Sequence, residues 1–298
     1  MDAWLIYNSS LKSKKFSDIH KWYVKTAKEM GITLHLVANS TLNIGVVNNQ
    51  LSLKHSYPEP AFVLFLDKDI HLAYQLEALG FRLYNNAQAI ELCDDKVLMH
   101  QAIARKGLKQ PDTRFAPKFF HNDVDVDDYR LIELEKTLGY PMIVKNSFGS
   151  FGQQVYLVKN HAELKTRVKQ LLDKPHLYQR YLPSSRGVDI RLQVVGEEVI
   201  TSVKRFNPHD FRANVTNGGK MEGVDVSDDY KALAIQASLA VGADFSGVDL
   251  LIGEGGEPLV CEVNSNAHIK NIYECTGVDV SIDIFRYILE NNKKEATS

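Results

Sequence analysis

Gly247-Val248-Asp249-Leu250-Leu251-Ile252-Gly253-Glu254-Gly255-Gly256-Glu257-Pro258-Leu259-Val260-Cys261-Glu262-Val263-Asn264 sets two apolar, strand-length runs on either side of a glycine pair. Gly255-Gly256 is a two-residue turn signal, so the stretch reads as a β-hairpin. With the turn at those glycines, Asp249 stands directly opposite Glu262, and strand alternation brings Asn264 to the same face. Two carboxylates and an amide oxygen then converge on one patch of sheet.

Opposed like charges destabilise a bare hairpin by roughly 0.2–1 kcal/mol. The pattern makes most sense with a hard divalent cation between the carboxylates, and Mg²⁺ (or Mn²⁺) bridging to nucleotide phosphates is the expected occupant. Asp249, Glu262 and Asn264 are therefore the candidate metal ligands.

A phosphate-holding apparatus is then sought upstream. Lys145 ends the apolar run Pro141-Met142-Ile143-Val144 and can present a compact positive charge to phosphates while its stem packs on the core. Four residues later, Gly149-Ser150-Phe151-Gly152 can bring backbone N–H groups close to a phosphate, because glycine removes the side-chain obstruction. The chain has neither a G-x-x-x-x-G-K-[ST] loop nor a strand-to-helix G-x-G-x-x-G, so a triphosphate has to be held differently from a P-loop or a dinucleotide fold. Further polar candidates are Asp189 and Arg191, which share a strand face, then Lys204-Arg205 and Asp210-Phe211-Arg212-Ala213-Asn214. Fixed guanidinium groups suit a multiply charged transition state.

The surrounding chain alternates strands and helices. Residues 3–7, 33–37, 61–66 and 80–84 read as strands, and 19–30 and 73–79 as helices, which together describe an open sheet of βαβ type. Asp94 or Asp95 can cap a helix that Gly107 stops. Strands are predicted at 141–145, 154–158, 189–195 and 198–204, helices at 162–172 and 230–241, and a frayed tail from Asn291. The 298 residues, 44% hydrophobic and 24% charged, can bury a sizeable core and favour two or three domains. A net charge of −2 argues against a protein that coats nucleic acid. Cys93, Cys261 and Cys275 form no C-x-x-C pair, so free thiols in a reducing compartment are expected. With no apolar run near membrane-spanning length and no signal peptide, the expected location is the cytoplasm.

Taken together, Asp95-Lys96, Val144-Lys145, Gly149-Ser150-Phe151-Gly152, Gly187-Val188-Asp189-Ile190-Arg191, Asp210-Phe211-Arg212-Ala213-Asn214, Gly218-Gly219, Gly247-Val248-Asp249, Glu262-Val263-Asn264 and Thr276-Gly277-Val278-Asp279-Val280 resemble, in unbroken order, an ATP-grasp ligase of the RimK type. The resemblance implies an α/β (α+β) fold in three parts: an N-terminal open-sheet domain at 1–92, a central subdomain with the phosphate loop at 93–176, and a C-terminal subdomain with the metal hairpin at 177–298. It implies nucleotide contacts from Lys96, Lys145, Gly149, Ser150, Gly152, the linker Gln179-Arg180-Tyr181, Asp189, Lys204, Arg212 and Asn214. Arg191 and Arg212 are the candidates for the transferring phosphoryl group.

Three positions depart from the pattern. Arg180 stands where relatives usually place a glutamate beside the adenine, and Gln154 replaces the last glycine of their phosphate loop. Asn264-Ser265-Asn266-Ala267-His268 stands where many relatives read Asn-Ala-Ser-Pro-Gly. The implied reaction joins a carboxylate to an amine, an amino acid or peptide being the expected partner, through an acyl phosphate formed from MgATP. A homo-oligomer is expected. The alternatives are a ligase that uses an amino acid other than glutamate, and a nucleotide-binding regulator without turnover. His209 and His268 read as ordinary loop histidines.

Overall fold

The computed structural model describes residues 1–121, 125–126, 128–149, 152–215 and 218–296, with side chains through Asn292. Its N-terminal sheet is parallel, in the order β2 (Thr33–Ala38), β1 (Asp2–Tyr7), β5 (Val63–Leu66), β6 (Leu83–Tyr84). Every residue of β5 is buried, as expected of a parallel strand covered on both faces. Helices α1 (Lys14–Glu29) and α2 (Ile70–Ala78) provide the crossovers. Helix α1 starts five residues before the predicted one, because its first turn is polar and carries no periodic signal. A hairpin of β3 (Asn43–Val47) and β4 (Gln50–Lys54) projects between β2 and β5, turning at Asn48 and Asn49, which both have positive φ.

Because β1 leads through α1 to β2 on one side while β5 lies on the other, the connections part above the carboxyl ends of β1 and β5. Open α/β sheets bind ligands at such a switch point. The residues that follow these two strands are Asn8 and Asp67.

Two antiparallel sheets follow. The central one has the order β7 (Thr113–Phe115), β10 (His176–Arg180), β8 (Met142–Asn146), β9 (Val155–Val158). Its apolar face is covered by α5 (Asp128–Leu138) and α6 (His161–Leu171). The C-terminal sheet runs β13 (Lys220–Gly223), β12 (Glu198–Phe206), β11 (Val188–Val195), β14 (Phe245–Ile252), β15 (Pro258–Asn264). Helix α7 (Asp228–Ala240) packs on it together with α3 (Ala87–Asp94) and α4 (Lys96–Arg105). Asp95 caps α4 as expected, accepting from the N–H groups of Val97 and Leu98 at 2.8 and 3.3 Å. Helices α8 (Ile269–Thr276) and α9 (Val280–Ala296) return to the N-terminal sheet and share its core. Helix α9 reaches Ala296, past the Asn291 where the sequence suggests fraying, and Tyr84 donates to Asn292 at 3.0 Å.

The hairpin corrects one step of the sequence argument. Gly253 N–H bonds to the Glu257 carbonyl at 2.7 Å, so the turn is a longer loop than Gly255-Gly256 alone. That loop moves the register by one residue at Leu250–Val260, and a bulge at Cys261 moves it back. Asp249 therefore still pairs with Glu262, and Gly247 with Asn264.

Candidate functional site

Two cavities share a wall made by Arg205, Asn214 and Glu262. The first lies between the central and C-terminal sheets and has Lys145 on its floor. The second lies between the C-terminal sheet and the carboxyl edge of the N-terminal sheet.

Lys145 comes from β8, flanked by Leu177 of β10 and Val155 of β9, and is only 7% exposed. Among the described residues, the only hydrogen-bond partner of its ammonium is Cys261 Sγ at 3.8 Å. A thiol is a weak acceptor, and burial raises the Cys261 pKa against the pull of Lys145, so this partner brings little negative charge. A buried cation on a cavity floor needs a stronger anion than that.

Lys96, at the first position of α4, joins the walls. Its ammonium donates to the Gly149 carbonyl at 2.8 Å and lies 3.3 Å from Glu262. Arg212 does the same from the opposite rim, bonding Asp210 at 2.7 Å and the Gly152 carbonyl at 2.7 Å. Gly149 has φ +122°, a backbone conformation that glycine adopts without the strain a side chain would bring, whereas the nearby Gln154 amide could swing aside.

Beyond Lys145 lies a buried chain of charges. Arg205 grips Asp189 with two bonds of 2.6 Å and reaches Asp249 at 2.8 Å, while Arg191 grips Asp249 at 2.6 and 2.7 Å. Burial pushes the Asp249 carboxyl up, but the two guanidiniums outweigh it and hold it below the usual range. The expectation of a bare, mutually repelling Asp249–Glu262 pair is thus corrected: Arg191 and Arg205 neutralise Asp249, and Lys96 compensates Glu262. Asn264 donates through Nδ2 to the Gly247 carbonyl at 3.3 Å, which leaves its oxygen for another partner. Among the described residues, no three or more His, Cys, Asp or Glu side chains are grouped to hold a metal. The donors present fit a Mg²⁺ that takes most of its oxygens from phosphate and water.

Among the expected nucleotide residues, Lys96, Lys145, Gly149, Gly152, Gln179, Arg180, Tyr181, Asp189, Arg212 and Asn214 line the first cavity, joined by Asp249 and Glu262. Arg191 and Asn264 line the second. Ser150 lies outside the described residues. Lys204 lines neither cavity and faces Glu222 at 3.6 Å; its neighbour Arg205 takes the inward place, since adjacent strand residues point to opposite faces. Pairing Asp189 with Arg205 across β11 and β12 would have found it. The Arg180 guanidinium is engaged by Asp112 at 2.9 Å and the Thr137 carbonyl at 2.7 Å. The Asn264 to His268 loop lines the second cavity, where Asn266 donates to the Leu66 carbonyl at 2.9 Å.

His100 supports the linker from behind. Its Nδ1 lies 2.6 Å from the Gln110 amide oxygen, so Nδ1 carries the proton, and Nε2 accepts from Gln179 Nε2 at 3.3 Å. Burial, then Lys145, press its pKa down to about 3. Unfolding lets the ring take a proton near pH 6.5, so the unfolded chain binds more protons between about pH 3 and pH 6.5, and stability falls as pH drops through that window. The contribution of this ring is at most about 1.4 kcal/mol per pH unit. His100→Gln should flatten the loss between pH 6.5 and 5 in denaturant titrations; an identical pH slope in parent and variant would contradict it.

A model of the RimK-like ATP-grasp domain matches residues 93–288, the span that carries the first cavity and most of the second. A probable alpha-L-glutamate ligase of Picosynechococcus sp. is 36% identical over 220 residues, 73% of this chain and 70% of that protein. Human N-acetylaspartylglutamate synthase A is 35% identical over 226 residues; the match takes in 75% of this chain but only 56% of that longer protein. In fold, the chain is similar to the ATP-grasp ligase PsnB, solved with minimal precursor, Mg and ADP, with a TM-score of 0.71 at 15% identity over 98% of each chain. The match of the family model over that span, together with these identities, makes the chain a member of the RimK-like ATP-grasp family of ligases.

Proposed function

We propose that the chain joins a carboxylate to an amine at the expense of ATP, forming ADP and phosphate, with the nucleotide in the first cavity and the two substrates in the second. The observation that carries this reading is Lys145, a buried ammonium whose only hydrogen-bond partner among the described residues is a thiol. A phosphate is the anion this site suits, and Gly149 and Gly152, which line the same cavity, put no side chain in its way. Glu262 and the Asn264 oxygen would hold Mg²⁺ where the cavities meet, with Asp249 behind them. The metal would neutralise phosphate charge as it transfers. Arg205 and Asn214 line the shared wall and Arg191 the second cavity, and these three would stabilise the transferring group. The three-part division at 1–92, 93–176 and 177–298 goes with this reading, with the central sheet carried on to Arg180.

No helix among the described residues is long and apolar enough to cross a membrane. The reading is tested by screening carboxylates, including short peptides, against amino acids for ADP release. L-glutamate comes first among the amines, because the names of two relatives carry it. ADP should form only when both partners are present. ATP binding with no ADP from any pair would favour a regulator instead.

A further inference from the structure

The second cavity also holds a buried charge that phosphate and metal binding leave unused. Asp67, the first residue after β5, lines it and is 5% exposed. Its carboxylate accepts from Asn8 Nδ2 at 3.0 and 3.3 Å and from the Lys68 N–H at 2.7 Å. Among the described residues it makes no ion pair, and the ammonium of neighbouring Lys68 pairs with Asp94. Burial, the largest influence, raises its pKa, and Asn8 and the backbone N–H groups only partly offset this. Apart from Asp67, the acidic groups near this cavity are compensated by cations: Glu262 by Lys96, Asp249 by two arginines. Asn8 and Asp67 come from the ends of β1 and β5, the switch point where an open α/β sheet presents a ligand.

We propose that Asp67, oriented by Asn8, seats the protonated amino group of the amine substrate and accepts the proton it gives up before its lone pair attacks. A buried carboxylate that meets only neutral donors is best completed by a cation carrying its own hydrogen-bond donors, and a primary ammonium supplies three. Lys15 lines the same cavity and brings positive charge for a carboxylate, so the two signs together suit an α-amino acid rather than a neutral amine. Lys145 and Asp67 then play matching parts: a buried cation for the phosphates and a buried anion for the amino group. This inference rests on the ligase reading.

Asp67→Asn tests it. An asparagine can keep its oxygen at the position that receives the Lys68 N–H and the shorter Asn8 bond, while it gives up the 3.3 Å bond, so the loop should hold its shape. With the amino acid that gives the fastest ADP release from the parent, the variant should raise the KM for that amine about 10-fold or more and leave the KM for ATP within about 2-fold. If the variant fails to fold, Asn8→Ala, which keeps the carboxylate but frees it to turn, should raise the amine KM alone by a smaller factor. An unchanged amine KM, or equal rises for ATP and amine, overturns the assignment and leaves the ligase reading standing. No amine-dependent ADP release from the parent with any of the twenty amino acids overturns both.

Discussion

Glu262→Gln should lower the rate of ADP formation by about 10²-fold or more, the scale seen when a major electrostatic stabiliser is lost. Glu262 stands on the wall between the cavities, in reach of Lys96 and opposite Asp249, where a metal and the transferring phosphate would meet. The amide keeps the shape but loses the charge that a hard cation needs. Stability without ligands should fall by about 1–3 kcal/mol, because buried Lys96 loses its counter-charge, although it keeps its bond to the Gly149 carbonyl. Added MgATP should raise the melting temperature of the parent more than that of the variant, because a ligand stabilises in proportion to its binding of the folded state. Full Mg²⁺-dependent activity in the variant would remove Glu262 from the metal site. Loss of activity together with large destabilisation would make the residue structural.

Lys145→Met should weaken ATP binding by about 1.5–3 kcal/mol, roughly 10- to 150-fold, the worth of one charged hydrogen bond. Methionine fills nearly the same buried volume, and among the described residues the substitution breaks just the weak hydrogen bond to Cys261. The fold should therefore survive or gain slightly, since a buried charge without an anionic partner costs stability. Titration calorimetry and thermal melts separate the two effects. Unchanged nucleotide affinity would remove Lys145 from phosphate binding.

Much of this architecture could be read from residue order. The parallel N-terminal sheet followed from buried apolar runs spaced by helical stretches, and Asp95 announced α4 as a cap. The hairpin placed Asp249 opposite Glu262, although two features of it cancelled: a turn longer than the glycine pair and a bulge at Cys261. Nothing in the local sequence marks that bulge, because Val260-Cys261-Glu262 alternates like any strand.

The β3–β4 hairpin escaped because its strands are short and mostly exposed, though Ile44 and Val46 pair with Leu53 and Leu51 in strand alternation and Asn48-Asn49 is the kind of pair that adopts positive φ in a tight turn. Lys204 was preferred to Arg205 because composition gives no face, and the face comes only from pairing with β11. The neutralisation of Asp249 was invisible for the same reason. Arg191 and Arg205 meet it from β11 and β12, a coincidence of three strands that no spacing along the chain encodes. Asp67 lay just beyond a strand with no motif around it, and its meaning appears only once the end of β1 brings Asn8 alongside.

If ATP activates a carboxylate for attack by an amine, one carboxylate oxygen must end in the released phosphate. The most direct measurement uses the carboxylate–amine pair that gives the fastest ADP release, with the carboxylate labelled in both oxygens with ¹⁸O. Attack of that carboxylate on the γ-phosphorus and displacement by the amine would carry one carboxylate oxygen into the phosphate. One ¹⁸O is expected in each phosphate released and one in the amide. Phosphate free of label, formed with ADP at the same rate, would contradict that activation.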